Sequence, residues 1–173
     1  MTSNSADTTA LLAFGVDAGT FRLRPASRAD LPAILWLLAD DQLGSSREDP
    51  TDLTPYEAAF AAIDADPAHL LLVGELDPAG GGGSRVVATF QLSFLPGLSR
   101  RGSWRAQLEA VRVADELRGQ GVGAAMVQWA LEESRRRGCS LVQLTTDKLR
   151  TSAHRFYERL GFAASHEGMK FLL

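Results

Sequence analysis

Apolar positions along this chain recur at two different spacings, and each change of spacing marks a new element. Alternation at Thr20-Phe21-Arg22-Leu23-Arg24 predicts a short strand. Ser27 stands before Asp30-Leu31-Pro32-Ala33-Ile34-Leu35-Trp36-Leu37-Leu38, which predicts a helix capped by the serine, with Pro32 tolerated in its first turn. An acidic stretch from Asp40 to Asp52 is expected to be flexible, and a second helix begins near Thr54-Pro55-Tyr56-Glu57. Strands are expected at about His69 to Glu75 and Val86 to Phe94. They are joined by Asp77-Pro78-Ala79-Gly80-Gly81-Gly82-Gly83-Ser84, read as a mobile hairpin loop because no helix follows its glycines. A strand over 105–113, a helix over 121–137, a strand over 140–146 and a helix over 152–160 complete the series, with no internal repeat.

Length and composition describe one domain, 19–173, in a chain of 173 residues that is 45% hydrophobic. The opening Met1-Thr2-Ser3-Asn4-Ser5-Ala6-Asp7 lacks a basic segment, and Ala10-Leu11-Leu12-Ala13-Phe14 is too short for a signal core or a membrane span. Residues 1–18 are therefore expected to be a disordered tail, and the protein to be cytoplasmic with no membrane partner. The single cysteine, Cys139, excludes an intramolecular disulfide and any cysteine metal cluster, and is expected to be a small buried hydrophobe at the start of a strand. Net charge is −3, unevenly spread: residues 1–99 hold 5 Lys/Arg against 13 Asp/Glu, and residues 100–173 hold 13 against 8. No overall basic excess supports a nucleic-acid partner.

The densest chemical signal lies in the basic half. Arg118-Gly119-Gln120-Gly121-Val122-Gly123 follows the apolar run Leu108-Glu109-Ala110-Val111-Arg112-Val113 and opens a helix-like segment, Ala124 to Leu131. Alternating glycines let backbone approach a ligand and leave N–H groups unshielded, while the helix N-terminus behind them favours an anion. A Walker-type loop is excluded, because Ala124-Ala125 stands where Lys-Ser/Thr would be needed. A dinucleotide loop fits Gly119, Gly121 and Ala124, with Asp147 near the ribose-binding distance. Against it, five residues, Ala114 to Arg118, separate the strand from the first glycine, and the chain left after the loop is short for two mononucleotide halves. A plain strand-to-helix turn is the remaining alternative.

Downstream, the strand Leu141-Val142-Gln143-Leu144-Thr145-Thr146 and the segment Ala153-His154-Arg155-Phe156-Tyr157-Glu158-Arg159-Leu160-Gly161-Phe162 follow in order. With Arg118-x-x-Gly121-x-Gly123 they resemble the GNAT superfamily of acyl-CoA-dependent N-acyltransferases, over residues 20–173. The resemblance implies an α/β fold of mixed α+β type, with a twisted mixed sheet in the order β-α-α-β-β-β-α-β-α-β. Its fourth and fifth strands, here 105–113 and 140–146, would run parallel and then splay around the pantetheine arm of acetyl-CoA, the expected cosubstrate. Main chain at Val111 and Val113 would bond that arm, and Arg118, Gly119, Gln120, Gly121, Val122 and Gly123 would hold the diphosphate. No metal is implied. Many relatives carry asparagine seven residues before the tyrosine, where this chain has Arg150, and only twelve residues follow Gly161, short for the family's last two strands.

The same resemblance makes Tyr157 the acid for the departing thiolate. Strand alternation puts Glu109 on the face of Val111 and Val113, as a candidate base for the attacking ammonium, with a salt bridge to Arg105 or Arg112 as the alternative. His154 lies one helical turn before Tyr157 and is assigned no chemistry. The expected partner is a small-molecule amine. Within the superfamily, Ala153-His154-Arg155-Phe156-Tyr157 followed by Ser165-His166 resembles aminoalkylphosphonate N-acetyltransferases and their small-amine relatives. Arg100, Arg101 and Arg105 would then hold a phosphonate or carboxylate, with Arg101 and Arg105 the substrate-binding candidates. The acidic stretch Asp40, Asp41, Glu48, Asp49 and Asp52 suits a polyamine or aminoglycoside instead. A homodimer is left open, and a non-catalytic acyl-CoA sensor on the same fold is the alternative function.

Overall fold

A computed structural model describes residues 10–40 and 47–172. One six-stranded sheet in the order β1-β2-β3-β4-β5-β6 forms its centre. The strands are β1 (Leu12–Val16), β2 (Gly19–Pro25), β3 (His69–Pro78), β4 (Arg85–Leu95), β5 (Trp104–Val113) and β6 (Cys139–Leu144). All neighbours are antiparallel except β5 and β6, which run parallel. The helices are α1 (Leu31–Ala39), α2 (Thr54–Asp64), a four-residue α3 (Ser99–Gly102), α4 (Val122–Arg136) and α5 (Thr151–Arg159). Among the described residues no helix is long and apolar enough to cross a membrane.

Packing explains the layout. Phe21, Gly74, Ala88 and Phe90 share one face of the sheet, where the Phe21 ring occupies the space a side chain at position 74 would need, 2.3 Å from a Cβ built there. Helix α4 covers this face through Trp129, which meets Phe90 edge-on at 6.1 Å between ring centroids. Four consecutive residues of β4, Val87 to Phe90, are buried, so this strand is covered on both faces, with α1 packed on β4 and β5 and α2 on β3. Ahead of α1, a 3-10 turn at Arg28–Asp30 is closed by the Asp30 carboxylate, which accepts from the Ser27 N–H at 2.7 Å and its hydroxyl at 2.9 Å. Asp30 also pairs with Arg24, fixing the end of β2 to the start of α1.

Two departures from the sequence reading concern the ends of the chain. Residues 12–16, assigned to a disordered tail, form β1; residues 1–9 lie outside the described residues. Leu12, Phe14 and Val16 alternate with Ala13 and Gly15, pack on the core, and bring Phe14 to 5.2 Å from Phe21. Five residues are too few for a signal core yet enough for an edge strand. At the other end, the last strand of the expected order does not form: described residues after Gly161 contain no helix or strand, so β6 ends the sheet. The sheet still counts six strands, the added β1 replacing the missing last one. The acidic stretch lies partly outside the described residues, at 41–46. Cys139 does begin β6 but is only half-buried, and burial still pushes its thiol up despite nearby Arg137.

Candidate active site

Strand β5 is paired on both sides only in its first half. Its parallel pairing with β6 ends at Leu108 and Leu144, while pairing with β4 continues to Val113. From Glu109 onward the β5 edge facing β6 therefore has no strand partner among the described residues; the Val111 carbonyl accepts from Arg112 Nη1 at 3.0 Å and the Val113 carbonyl from Arg118 Nε at 3.4 Å, and the remaining backbone groups there demand hydrogen bonds. This is the splay expected from the motifs. On the far wall Thr146, two residues beyond the last pair, has a buried hydroxyl oxygen with no partner among the described residues. A cleft that exposes main chain on one side and an orphaned hydroxyl on the other suits an extended, amide-bearing ligand such as a pantetheine arm.

Beyond β5, a 3-10 turn at Asp115–Leu117 leads into the glycine loop. Gly119 and Gly121 take φ of +81° and +82°, left-handed values that most side chains resist. Gly121 is the N-cap of α4 and offers no side chain to satisfy the first turn, whose ladder starts with the Ala125 N–H on the Gly121 carbonyl at 2.9 Å. The amides of Gly119, Gly121, Val122, Gly123 and Ala124 enter no backbone bond outside a helix, so they and the positive end of α4 are available to an anion. The amides of Arg118 and Gln120 are engaged, on the carbonyls of Asp115 (3.1 Å) and Leu117 (3.3 Å). The Arg118 guanidinium pairs with Asp115 at 2.6 Å, but both side chains are exposed, so a phosphate can replace that carboxylate cheaply.

The loop, the end of β5 and α5 converge on one spot. A Cβ built on Gly123 would sit 3.4 Å from the Phe156 ring and 3.7 Å from Val113, ordinary contact distances that show how closely the three elements meet. Tyr157 follows Phe156 and lies between aromatic rings, 5.0 Å from Phe156 and 5.6 Å from Phe162. Burial pushes its phenol above the ordinary tyrosine value, while the positive charges of Arg150 and Arg112 oppose the shift without cancelling it. The hydroxyl therefore carries its proton at neutral pH, as a proton donor must. Arg112 and Arg150 both act on the Tyr157 phenol; Arg150 was marked in the sequence only as a departure from the family's asparagine, and no local motif pointed to Arg112 or Thr146 here.

Glu109 requires a correction. Thr89 pairs with Arg112 but Gln91 pairs with Glu109, so two residues of β5, Ala110 and Val111, lie opposite Phe90 alone. Ala110 absorbs the extra residue with a left-handed φ of +54°. This bulge resets the alternation. Val113 pairs with Ala88 on the α4 face and Val111 shares that side, whereas Glu109 pairs with Gln91 on the opposite face. The carboxylate thus stands across the sheet from the two valines, exposed, and among the described residues makes no ion pair with Arg105. Arg105, Gln107 and Glu109 make a polar row on that face, extended by the Gln143 amide donating to Gln107 at 2.7 Å. Arg105 points its guanidinium toward Gly97, and its buried Nε has no partner; Arg101 sits exposed in α3 at φ +63°. No hydrogen bond or ion pair joins these two arginines. A ring nitrogen of His154, Nε2, bonds the Asp147 carbonyl at 3.0 Å. Among the described residues no cluster of His, Cys, Asp or Glu is placed to hold a metal ion.

Comparison with known proteins settles the family. The model of the acetyltransferase (GNAT) family matches residues 31–162, most of the chain. The chain belongs to this family. The chain is 39% identical over 64 residues to the aminoalkylphosphonate N-acetyltransferase of Salmonella typhimurium, covering 37% of this chain and 42% of that protein. It is 34% identical over 86 residues to the glucosamine 6-phosphate N-acetyltransferase of Trypanosoma brucei brucei, covering 50% and 56%. The chain thus spans about half the length of the curated relatives it matches. A solved structure from Bacillus halodurans C-125, described as a transcriptional regulator, is 43% identical, with a TM-score of 0.80 over 88% of this chain and 99% of that one.

Proposed function

We propose that this protein transfers the acetyl group of acetyl-CoA to the primary amine of a small molecule by direct attack. The observation that supports it most is the continuity of the cleft: the unpaired edge of β5 leads straight to a helix N-terminus whose first amides are open, with the protonated phenol of Tyr157 beside the junction. The loop amides and Arg118 hold the diphosphate, and main chain at Val111 and Val113 aligns the thioester arm. Glu109 takes a proton from the acceptor ammonium, directly or through water. The neutral nitrogen adds to the thioester carbonyl, a C–N bond forms, and the C–S bond breaks as the tetrahedral centre collapses. Tyr157 gives its proton to the thiolate and recovers one from the proton the nitrogen sheds.

The acceptor's identity is read from charge. Arg105 on the Glu109 face, with Arg101 nearby in sequence, suits an amine whose far end carries a phosphonate, phosphate or carboxylate. The two curated relatives are named for substrates with a phosphorus oxyanion, which supports the same class. The test is free-thiol release from acetyl-CoA with a panel of aminoalkylphosphonates, amino-sugar phosphates and uncharged amines. Release that depends on an anionic amine supports the proposal. Binding of acetyl-CoA with no amine-dependent release overturns it in favour of a non-catalytic acyl-CoA sensor, a second reading favoured by the regulator description of the Bacillus halodurans relative.

A further inference from the structure

We infer that Gln120 is a positioning residue that fastens the diphosphate loop to the first hairpin of the chain, so that the β1–β2 turn helps set affinity for the nucleotide end of acetyl-CoA. This rests on the loop's role proposed above. The Gln120 side chain is bonded at both ends of its amide: Oε1 accepts from the Asp17 N–H at 3.0 Å, and Nε2 donates to the Glu116 carbonyl at 2.9 Å. Its own N–H is on Leu117. Its backbone carbonyl and one hydrogen of Nε2 are all that is left over, so most of its hydrogen-bonding capacity is spent on the bracket. The bracket extends further, because the Glu116 carboxylate is held by Arg85 of β4 at 2.6 Å.

The physical need for such a bracket lies in the neighbours. Gly119 and Gly121 flank Gln120, and glycine loses more conformational freedom on ordering than any other residue. A loop built from them binds weakly unless something fixes it before the ligand arrives. Gln120 joins points 103 residues apart in sequence, at a turn that exists only because β1 folds back on β2. The hairpin absent from the sequence reading thereby acquires a part in the site.

Three variants test this: Gln120→Leu, which keeps the stem and removes both bonds; Asp17→Pro, which removes the backbone donor; and Asp17→Ala, which removes only the carboxylate. The readout is the ratio of kcat/KM for acetyl-CoA to kcat/KM for S-acetylpantetheine, which lacks the diphosphate. Q120L and D17P should each lower that preference by about 2- to 10-fold, the range expected for one net hydrogen bond. The double variant should be no worse than Q120L, and D17A should match the wild type. A general loss of fold would depress both thioesters alike and leave the ratio unmoved. An unchanged ratio in Q120L overturns the positioning role even if D17P fails to fold, as does additivity in the double variant. A wild type with no preference for acetyl-CoA overturns the diphosphate reading itself.

Discussion

Replacing Tyr157 by phenylalanine removes one oxygen from the proposed site and almost nothing else. The ring stays between Phe156 and Phe162, 5.0 and 5.6 Å away, and among the described residues the hydroxyl has no hydrogen-bond partner to strand. Stability should therefore stay within about 1 kcal/mol, a shift in Tm of about 2–4 °C for a chain of this size. Turnover should fall by about 10²-fold, the low end for loss of a general acid, or about 2.7 kcal/mol of barrier. Burial raises the phenol's pKa over the opposing charges of Arg150 and Arg112, so the wild-type rate should hold through the ordinary tyrosine range and decline only above it. The same shift contributes stability that is complete below the unfolded value near 10 and is lost as pH rises through the folded value. Thiol release in stopped time points, with CoA affinity measured by calorimetry, separates chemistry from binding. Undiminished turnover in Y157F with normal CoA affinity would refute the acid role.

Two further outcomes are expected. Glu109→Gln should lower turnover by about 10²-fold while leaving acetyl-CoA affinity intact, since the carboxylate faces away from Val111 and Val113; turnover equal to wild type would mean that the proton leaves by another route. Asp30→Asn should cost about 2 kcal/mol at neutral pH, because it leaves Arg24 with Glu75 alone in a site little exposed to water. Burial works against ionising Asp30, yet the Arg24 and Ser27 hydrogen bonds hold its carboxyl below the usual value. That stability is present above about pH 4 and lost as pH falls through the folded value, so urea midpoints of wild type and variant should converge on acidification. A gap between them that stayed constant down to pH 3 would assign the loss to packing instead.

What was legible in the chain was what depends on neighbours in sequence. The glycine loop, its helix and the tyrosine motif could be placed because positive φ, helix N-termini and 3.6-residue spacing each leave a local mark. Splaying of the strands at 105–113 and 140–146 was implied only by the family resemblance those motifs carry, and it is present. The β1 strand escaped because Gly15 and Asp17 interrupt a short run that gains stability only by pairing with β2. The bulge escaped for a different reason: alanine has no preference for a left-handed φ, and Ala110 adopts one only because β4 fixes the register on both sides of it. Hence the error about which way Glu109 points. Met169 and Phe171 alternate like a strand near the end, but both are exposed and no neighbouring strand takes them up.

One inserted residue in β5 divides the strand's duties. On the proposed function, Glu109 before Ala110 faces the acceptor, and Val111 and Val113 after it face the acyl donor. Donor and acceptor can accordingly enter from opposite surfaces and meet edge to edge at the gap, neither blocking the other's doorway. A deletion at position 110 would leave Val111 alone opposite Phe90 and take the kink out of the strand, while the carboxylate stayed opposite Gln91 and the valines kept to the other surface.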